Sequence, residues 1–192
     1  SFMRAYANSV QEPQGPSYLS IPLDDWNKKT NQKIKFRNIS TRTGPDPEIC
    51  DTFVNKINKS KNPLIIYGSD ISRQCSWHEG IKFAEKINAP VWSAPFTERT
   101  CFPETHRLYQ GQLKSSIKQL YTIIKDYDLI IVIGAPVFRY YPYIGGDYIG
   151  NNSKLILVSD DPDTISKAAV GDALLSNTKL FFNIVLDKIK SD

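Results

Sequence analysis

Residues 128–143, Asp-Leu-Ile-Ile-Val-Ile-Gly-Ala-Pro-Val-Phe-Arg-Tyr-Tyr-Pro-Tyr, gather the side chains best suited to meeting a ligand. The apolar run Leu129–Ile133 is too short for a helix and rich in β-branched residues, so it reads as a central parallel strand covered on both faces. Gly134 and Pro136 stop it, and an aromatic, basic cluster follows: Phe138, Arg139, Tyr140, Tyr141 and Tyr143. In open α/β sheets the crevice beyond the carboxyl ends of the strands is where ligands bind, which puts this cluster at a functional rim. A packed surface loop would account for the same residues.

Other chemistry is tested residue by residue. A dinucleotide site needs three spaced glycines after the first strand, and Gly68-Ser-Asp-Ile-Ser-Arg offers one. A phosphate-cradling Gly-x-x-x-x-Gly-Lys-Ser/Thr does not occur. Cys75 with His78 and Cys101 with His106 are the metal-ligand-like pairs, fewer than a structural zinc requires, and Cys75 reads as a small, partly buried residue in the first turn of a helix. No Gly-x-Ser-x-Gly elbow supports nucleophilic catalysis. Asp160-Asp161-Pro162-Asp163 could bind a cation or a ribose, but an acidic cluster after a strand more simply caps the next helical turn.

The elements that position these groups alternate. Residues 1–11 suggest a helix with Phe2, Tyr6 and Val10 on one stripe, and residues 17–21 a strand stopped by Pro22. A helix opening at the first residue without a cap suggests a chain cut from something longer. Residues 27–45 are polar and aperiodic, a linker. The main domain, 46–192, begins with Asp46 as N-cap and Pro47 at the first helical position, with Ile49, Phe53 and Ile57 as the apolar stripe. Then come a strand at 64–67, a helix over 72–87 with Trp77, Ile81, Ala84 and Ile87 inward, and a strand at 90–93. A loop at 94–111 leads to a helix marked by Leu113, Ile117, Leu120 and Ile124. The strand at 129–133 is followed by strands at 155–159 and near 173–175, and by a last helix bearing Leu180, Phe181, Ile184 and Ile189. Such alternation predicts a three-layer, doubly wound parallel sheet with helices on both faces.

Composition agrees with one α/β core plus an appendage: 192 residues, 41% hydrophobic, net charge +4. The basic residues are scattered; Lys28, Lys29, Lys33, Lys35 and Arg37 lie among Asn, Thr and Gln, which argues against nucleic-acid binding. The apolar tract at 129–138 is about half of the roughly 20 residues a membrane span needs. Three cysteines at wide spacing and no secretory signal fit a reducing cytoplasm.

Gly134-Ala-Pro-Val-Phe-Arg-Tyr140, Gly15-Pro-Ser-Tyr-Leu-Ser-Ile-Pro-Leu-Asp-Asp-Trp26 and Ala89-Pro-Val-Trp-Ser-Ala-Pro95 resemble the benzoylformate decarboxylase family of thiamine diphosphate enzymes. The resemblance runs from about Ser1 to about Asn177. It implies that residues 1–26 are the end of a pyrimidine-binding domain and 46–192 a Rossmann-like central domain. The parent enzyme would then be a 2-keto acid decarboxylase using thiamine diphosphate and Mg²⁺, forming a homo-oligomer. Its partners would be the missing pyrimidine- and diphosphate-binding domains. The family's activating Glu has no counterpart here, and Gly171-Asp172-Ala173 only superficially resembles the metal-binding Gly-Asp-Gly. No cofactor is therefore expected on this chain alone, which is expected to be an inactive scaffold. The family's active-site histidine after Phe-Arg-Tyr corresponds to Tyr141, the one candidate catalytic position. A phenol with a pKa near 10 is a poor proton shuttle at neutral pH but can donate a hydrogen bond. Related enzymes such as acetolactate synthase and oxalyl-CoA decarboxylase hold FAD or ADP in this domain, so a nucleotide-binding module is the alternative reading.

Overall fold

The computed structural model describes residues 2–31, 33, 39–138 and 144–191. The chain forms two compact units, Ser1–Arg42 and Thr43–Asp192.

In the first unit, α1 (Phe2–Val10) buries no residue, and Phe2 and Tyr6 are exposed. The polar turn after it is tied back by Gly15 N to Ser9 O and by Ser17 Oγ to Ala5 O (2.7 Å). The strand expected at 17–21 is absent: those residues carry no ladder, because no neighbouring strand supplies the partner a strand needs. One short 3₁₀ turn follows at Leu23–Asp25.

The second unit is a single sheet of six parallel strands in the order β3-β2-β1-β4-β5-β6. The strands are β1 (Pro63–Tyr67), β2 (Val91–Ser93), β3 (Tyr109–Gln112), β4 (Leu129–Ile133), β5 (Lys154–Ser159) and β6 (Asp172–Leu175). Along each central strand the side chains alternate between two cores. Ile65, Tyr67, Ile131, Ile133, Ile156 and Val158 face α2 (Pro47–Lys59), α4 (Trp77–Lys86) and α7 (Thr178–Val185). Leu64, Ile66, Ile130, Val132, Leu155 and Leu157 face α5 (Ile117–Ile124), with Ile165 of α6 (Pro162–Ser166) packed at the margin. All five residues of β4 are buried, as a strand with layers on both faces requires. The chain winds from β1 outward to β3, then returns to β4 and winds the other way. The reversal lies between β1 and β4.

Several local expectations shift. The helix expected over 72–87 is two helices, α3 (Asp70–Arg73) and α4, because Cys75 takes a left-handed backbone (φ 53°) between them. Cys75 is therefore exposed at a kink and does not lie in a helical turn. α4 buries Gly80, Phe83 and Ala84, while Trp77 and Ile81 are half-buried. In α2 the buried face is Cys50, Phe53, Val54 and Ile57, with Ile49 turned to solvent. The 94–111 loop contains most of edge strand β3. Leu113 N extends that edge to Ser93 O (2.9 Å), so α5 starts only at Ile117. In α7, Phe181, Phe182 and Val185 are buried and Ile184 is exposed. The capping expectations hold. Asp46 accepts from Glu48 N (2.9 Å) and Ile49 N (3.2 Å), and Asp161 from Asp163 N (2.9 Å).

Candidate functional site

The reversal between β1 and β4 is where an α/β sheet opens a crevice for a ligand. Here it is closed by backbone. A Cβ on Gly68 would lie 2.2 Å from Gly134 O and 2.5 Å from Ala135 Cβ, so the turns after β1 and β4 touch. Gly68 N donates to Ile133 O (3.1 Å) and Asp70 N to Gly134 O (3.3 Å). Gly134, at φ +70°, supplies the left-handed turn that aims its carbonyl this way. The Gly68 and Asp70 N–H groups after β1 are thus committed to protein carbonyls, and the Asp70 carboxylate in the first turn of α3 opposes an anion. Ser69 Oγ accepts from Glu98 N (2.9 Å), and the Glu98 carboxylate pairs with Arg73.

Beyond Gly134, Ala135 and Val137 are buried and Pro136 between them is exposed; the chain then reaches half-buried Phe138, whose backbone is left-handed (φ 52°). The Phe138 ring stacks on Tyr148, with centroids 6.1 Å apart and planes 4° from parallel. Between them, Ile144, Gly145, Gly146 and Asp147 are exposed. Arg139, Tyr140, Tyr141 and Tyr143, including the one candidate catalytic position, lie outside the described residues. Tyr148 was not legible as a partner in the sequence. Its only signal is an aromatic residue after Gly145-Gly146.

A second recess, an open cavity of about 270 Å³, lies past β2 and β3 and is lined by Ser93, Glu98, Arg99, Glu104, Tyr109 and Gln112 among others. Tyr109 Oη lies 3.1 Å from Ser93 Oγ. Beside Ser93, Cys101 is buried, its Sγ 3.3 Å from Ser93 Oγ and donating to Tyr67 O (3.4 Å). Burial pushes its thiol up, only partly offset by the Ser93 hydrogen bond, so Cys101 stays protonated and is no nucleophile. His106 is not brought to it as a ligand pair. Its Nδ1 accepts from Leu108 N (3.3 Å), which leaves Nε2–H to donate to Glu85 Oε1 (3.2 Å). His78 is exposed.

The described residues do not fit a metal-anchored diphosphate. The Asp172 carboxylate of Gly171-Asp172-Ala173 is paired with Lys56. Asp161 accepts from Thr164 Oγ1 (2.7 Å) as it caps α6, and Asp163 pairs with Lys167. Among the described residues no group of three or more His, Cys, Asp or Glu is placed to hold a metal ion. None of the described helices is long and apolar enough to cross a membrane.

A sequence profile of the thiamine pyrophosphate enzyme central domain matches residues 50–183. The chain belongs to that family. Benzoylformate decarboxylase of Pseudomonas aeruginosa is 31% identical to this chain over 97% of the chain's length, and is covered over 37% of its own. The crystal structure of benzoylformate decarboxylase from Polynucleobacter necessarius superposes on it with a TM-score of 0.94 and 56% identity, covering 100% of this chain and 36% of that one. The thiamine diphosphate-dependent 4-hydroxybenzoylformate decarboxylase of Rhodococcus jostii RHA1 does so with a TM-score of 0.86 and 27% identity, covering 96% and 36%. The chain thus spans little more than a third of the relatives it matches.

Proposed function

We propose that this chain is the central scaffold of a thiamine diphosphate-dependent 2-keto acid decarboxylase whose substrate is an aryl 2-keto acid of the benzoylformate type. The 56% identity to a benzoylformate decarboxylase across the whole chain carries this reading. Residues 1–26 are the end of a pyrimidine-binding domain, 27–45 a linker and 46–192 the central domain. Thiamine diphosphate and Mg²⁺ are held by the pyrimidine- and diphosphate-binding domains of a homo-oligomeric, cytoplasmic enzyme, and the chain by itself is inactive. The free thiols of Cys50, Cys75 and Cys101 suit a reducing compartment. Tyr141, at the sequence position of the family's active-site histidine, donates a hydrogen bond at the active-site mouth rather than shuttling a proton. The FAD- or ADP-holding alternative is disfavoured by the Gly68 and Asp70 N–H groups being bonded to Ile133 O and Gly134 O, and by the Asp70 carboxylate beside them.

The test is CO₂ release by the protein expressed from the complete reading frame that carries this chain, with thiamine diphosphate and Mg²⁺ supplied. Turnover of benzoylformate or 4-hydroxybenzoylformate well above pyruvate is expected, and Tyr141→Phe should slow it by about tenfold, the worth of one charge-assisted hydrogen bond. Pyruvate turnover with both aryl acids inert would overturn the substrate class. Full activity of Tyr141→Phe would overturn the role of Tyr141.

A further inference from the structure

Residues 114–116 separate Leu113, whose N donates to Ser93 O (2.9 Å) at the end of β2, from the first turn of α5. Ser116 holds the N-cap position in extended backbone (φ −91°, ψ 132°), and Leu120 N donates to Ser116 O (2.9 Å) as the first helical bond. Its side chain caps nothing. At α2 and α7 the Asp46 and Asn177 side chains each accept from two first-turn N–H groups, whereas Ser116 Oγ accepts from none. Ser116 is 6% exposed, and its buried Oγ has no hydrogen-bond partner at all. A buried hydroxyl left so is rare, because it forfeits its bonds to water without replacement. The N–H groups of Ile117, Lys118 and Gln119 precede the first helical bond and have no protein acceptor among the described residues.

We propose that the α5 N-terminus binds a phosphate group, carried by free phosphate or by a small phosphomonoester. The Lys118 and Gln119 N–H groups and the Ser116 hydroxyl donate to its oxygens, and Lys114 and Lys118 balance its charge. None of these donors belongs to the closed β1/β4 reversal, and the site does not rest on the decarboxylase reading. The hydroxyl reaches the anion by rotation about χ1, which swings an N-cap oxygen over the first turn. Charge points the same way. The first turn of α5 holds no acid, and Lys114 and Lys118 are exposed and in no ion pair. A cation at the positive end of a helix is unfavourable by itself and becomes favourable beside a bound anion. Two ammonium groups with three donors at one helix end suit a doubly charged tetrahedral group better than a single carboxylate. The opposing charge comes from Asp147, exposed and next to Gly146, where a Cβ would stand 3.7 Å from Ile117 Cγ2.

Titration of the isotope-labelled 192-residue chain with inorganic phosphate, followed by amide chemical shifts at constant ionic strength, tests this. Saturable shifts at Ile117, Lys118 and Gln119 are expected with a dissociation constant of about 1–5 mM, roughly a thousandfold weaker than a cofactor site. The capped starts of α2 and α7 should not respond. Ser116→Ala should weaken binding about fivefold to tenfold, yet leave the phosphate-free melting temperature unchanged or higher, since it deletes an unpartnered hydroxyl. Lys118→Gln should weaken binding about threefold, and Asp147→Asn should tighten it about twofold. Glycerol 3-phosphate distinguishes the sources: saturation at about tenfold lower concentration marks an esterified ligand, equal or weaker binding marks free phosphate, and either supports the site. No saturable shift up to about 50 mM phosphate overturns it. Equal shifts at the starts of α2, α5 and α7, the mark of general screening, also overturn it, as does undiminished binding in both Ser116→Ala and Lys118→Gln. If Ser116→Ala does not fold, Lys118→Gln decides.

Discussion

Gly68→Ala places one methyl group where the two halves of the sheet meet, and its cost follows from the geometry. The added Cβ would lie 2.2 Å from Gly134 O, 2.5 Å from Ala135 Cβ and 2.8 Å from Ala135 Cα, two of them backbone atoms and none the far end of a flexible side chain. Relief requires the turns after β1 and β4 to part by about 1 Å, a shift close-packed strand ends resist. That motion stretches Gly68 N to Ile133 O and Asp70 N to Gly134 O beyond hydrogen-bonding range. Two buried backbone bonds at about 1 kcal/mol each, added to overpacking of about 2 kcal/mol, give a destabilisation of about 4 kcal/mol. At about 2–4 °C per kcal/mol for a chain of this size, the melting temperature should fall by about 8–16 °C. Calorimetry on the purified chain reads this, and Gly80→Ala is the matched control. There the new Cβ meets the Tyr67 ring at 3.6 Å, ordinary contact distance, within a helix that prefers alanine by about 1 kcal/mol. Gly80→Ala should be neutral or mildly stabilising. A Gly68→Ala loss under about 1 kcal/mol would refute the claim that backbone closes the β1/β4 crevice.

Three further outcomes are expected. Burial raises the Asp128 carboxyl, but hydrogen bonds from Ser60 Oγ, Lys61 N and Asn62 N outweigh it and hold the group below its usual value. Its stabilisation is therefore present above the unfolded carboxylate pKa and lost as pH falls through the folded one. Asp128→Asn should cost about 1–2 kcal/mol at pH 7 in urea unfolding, and the gap should shrink below about pH 4. Burial, reinforced by Cys101, holds the Tyr67 phenol well above its usual value, and its hydroxyl donates to Gly80 O (2.8 Å). That contribution is complete below about pH 10 and fades above it, so alkaline loss of stability should be smaller in Tyr67→Phe. Amides of α1, none of whose residues is buried, should exchange orders of magnitude faster than those of fully buried β4 by hydrogen exchange and mass spectrometry.

The fold was legible where one local signal dominated. β4 ends at the residues its apolar run predicted, because only a strand covered on both faces tolerates five consecutive buried aliphatics. The Asp46–Pro47 start of α2 and the Asp161 cap followed from side-chain chemistry alone. What was illegible depends on partners distant in sequence. Cys75 is left-handed without being glycine or asparagine, so nothing in its type announced the break between α3 and α4. β3, Tyr-Gln-Gly-Gln, is polar and owes its conformation to pairing with β2, while residues 17–21 have strand composition and no neighbour to pair with. At the candidate site Arg139, Tyr140, Tyr141 and Tyr143 lie outside the described residues, while the end of a central strand at the sheet's reversal was readable from pattern. The contact of Phe138 with Tyr148 was not, because a stack across ten residues leaves no periodic trace.

Calorimetric titration of thiamine diphosphate with Mg²⁺ into the 192-residue chain, alongside CO₂ release from benzoylformate, tests the central claim most directly. The account predicts no saturable heat and no CO₂, since Asp172, Asp161 and Asp163 are engaged within the protein and the cofactor belongs to other domains. Stoichiometric binding in the micromolar range, or turnover by this chain alone, would contradict it.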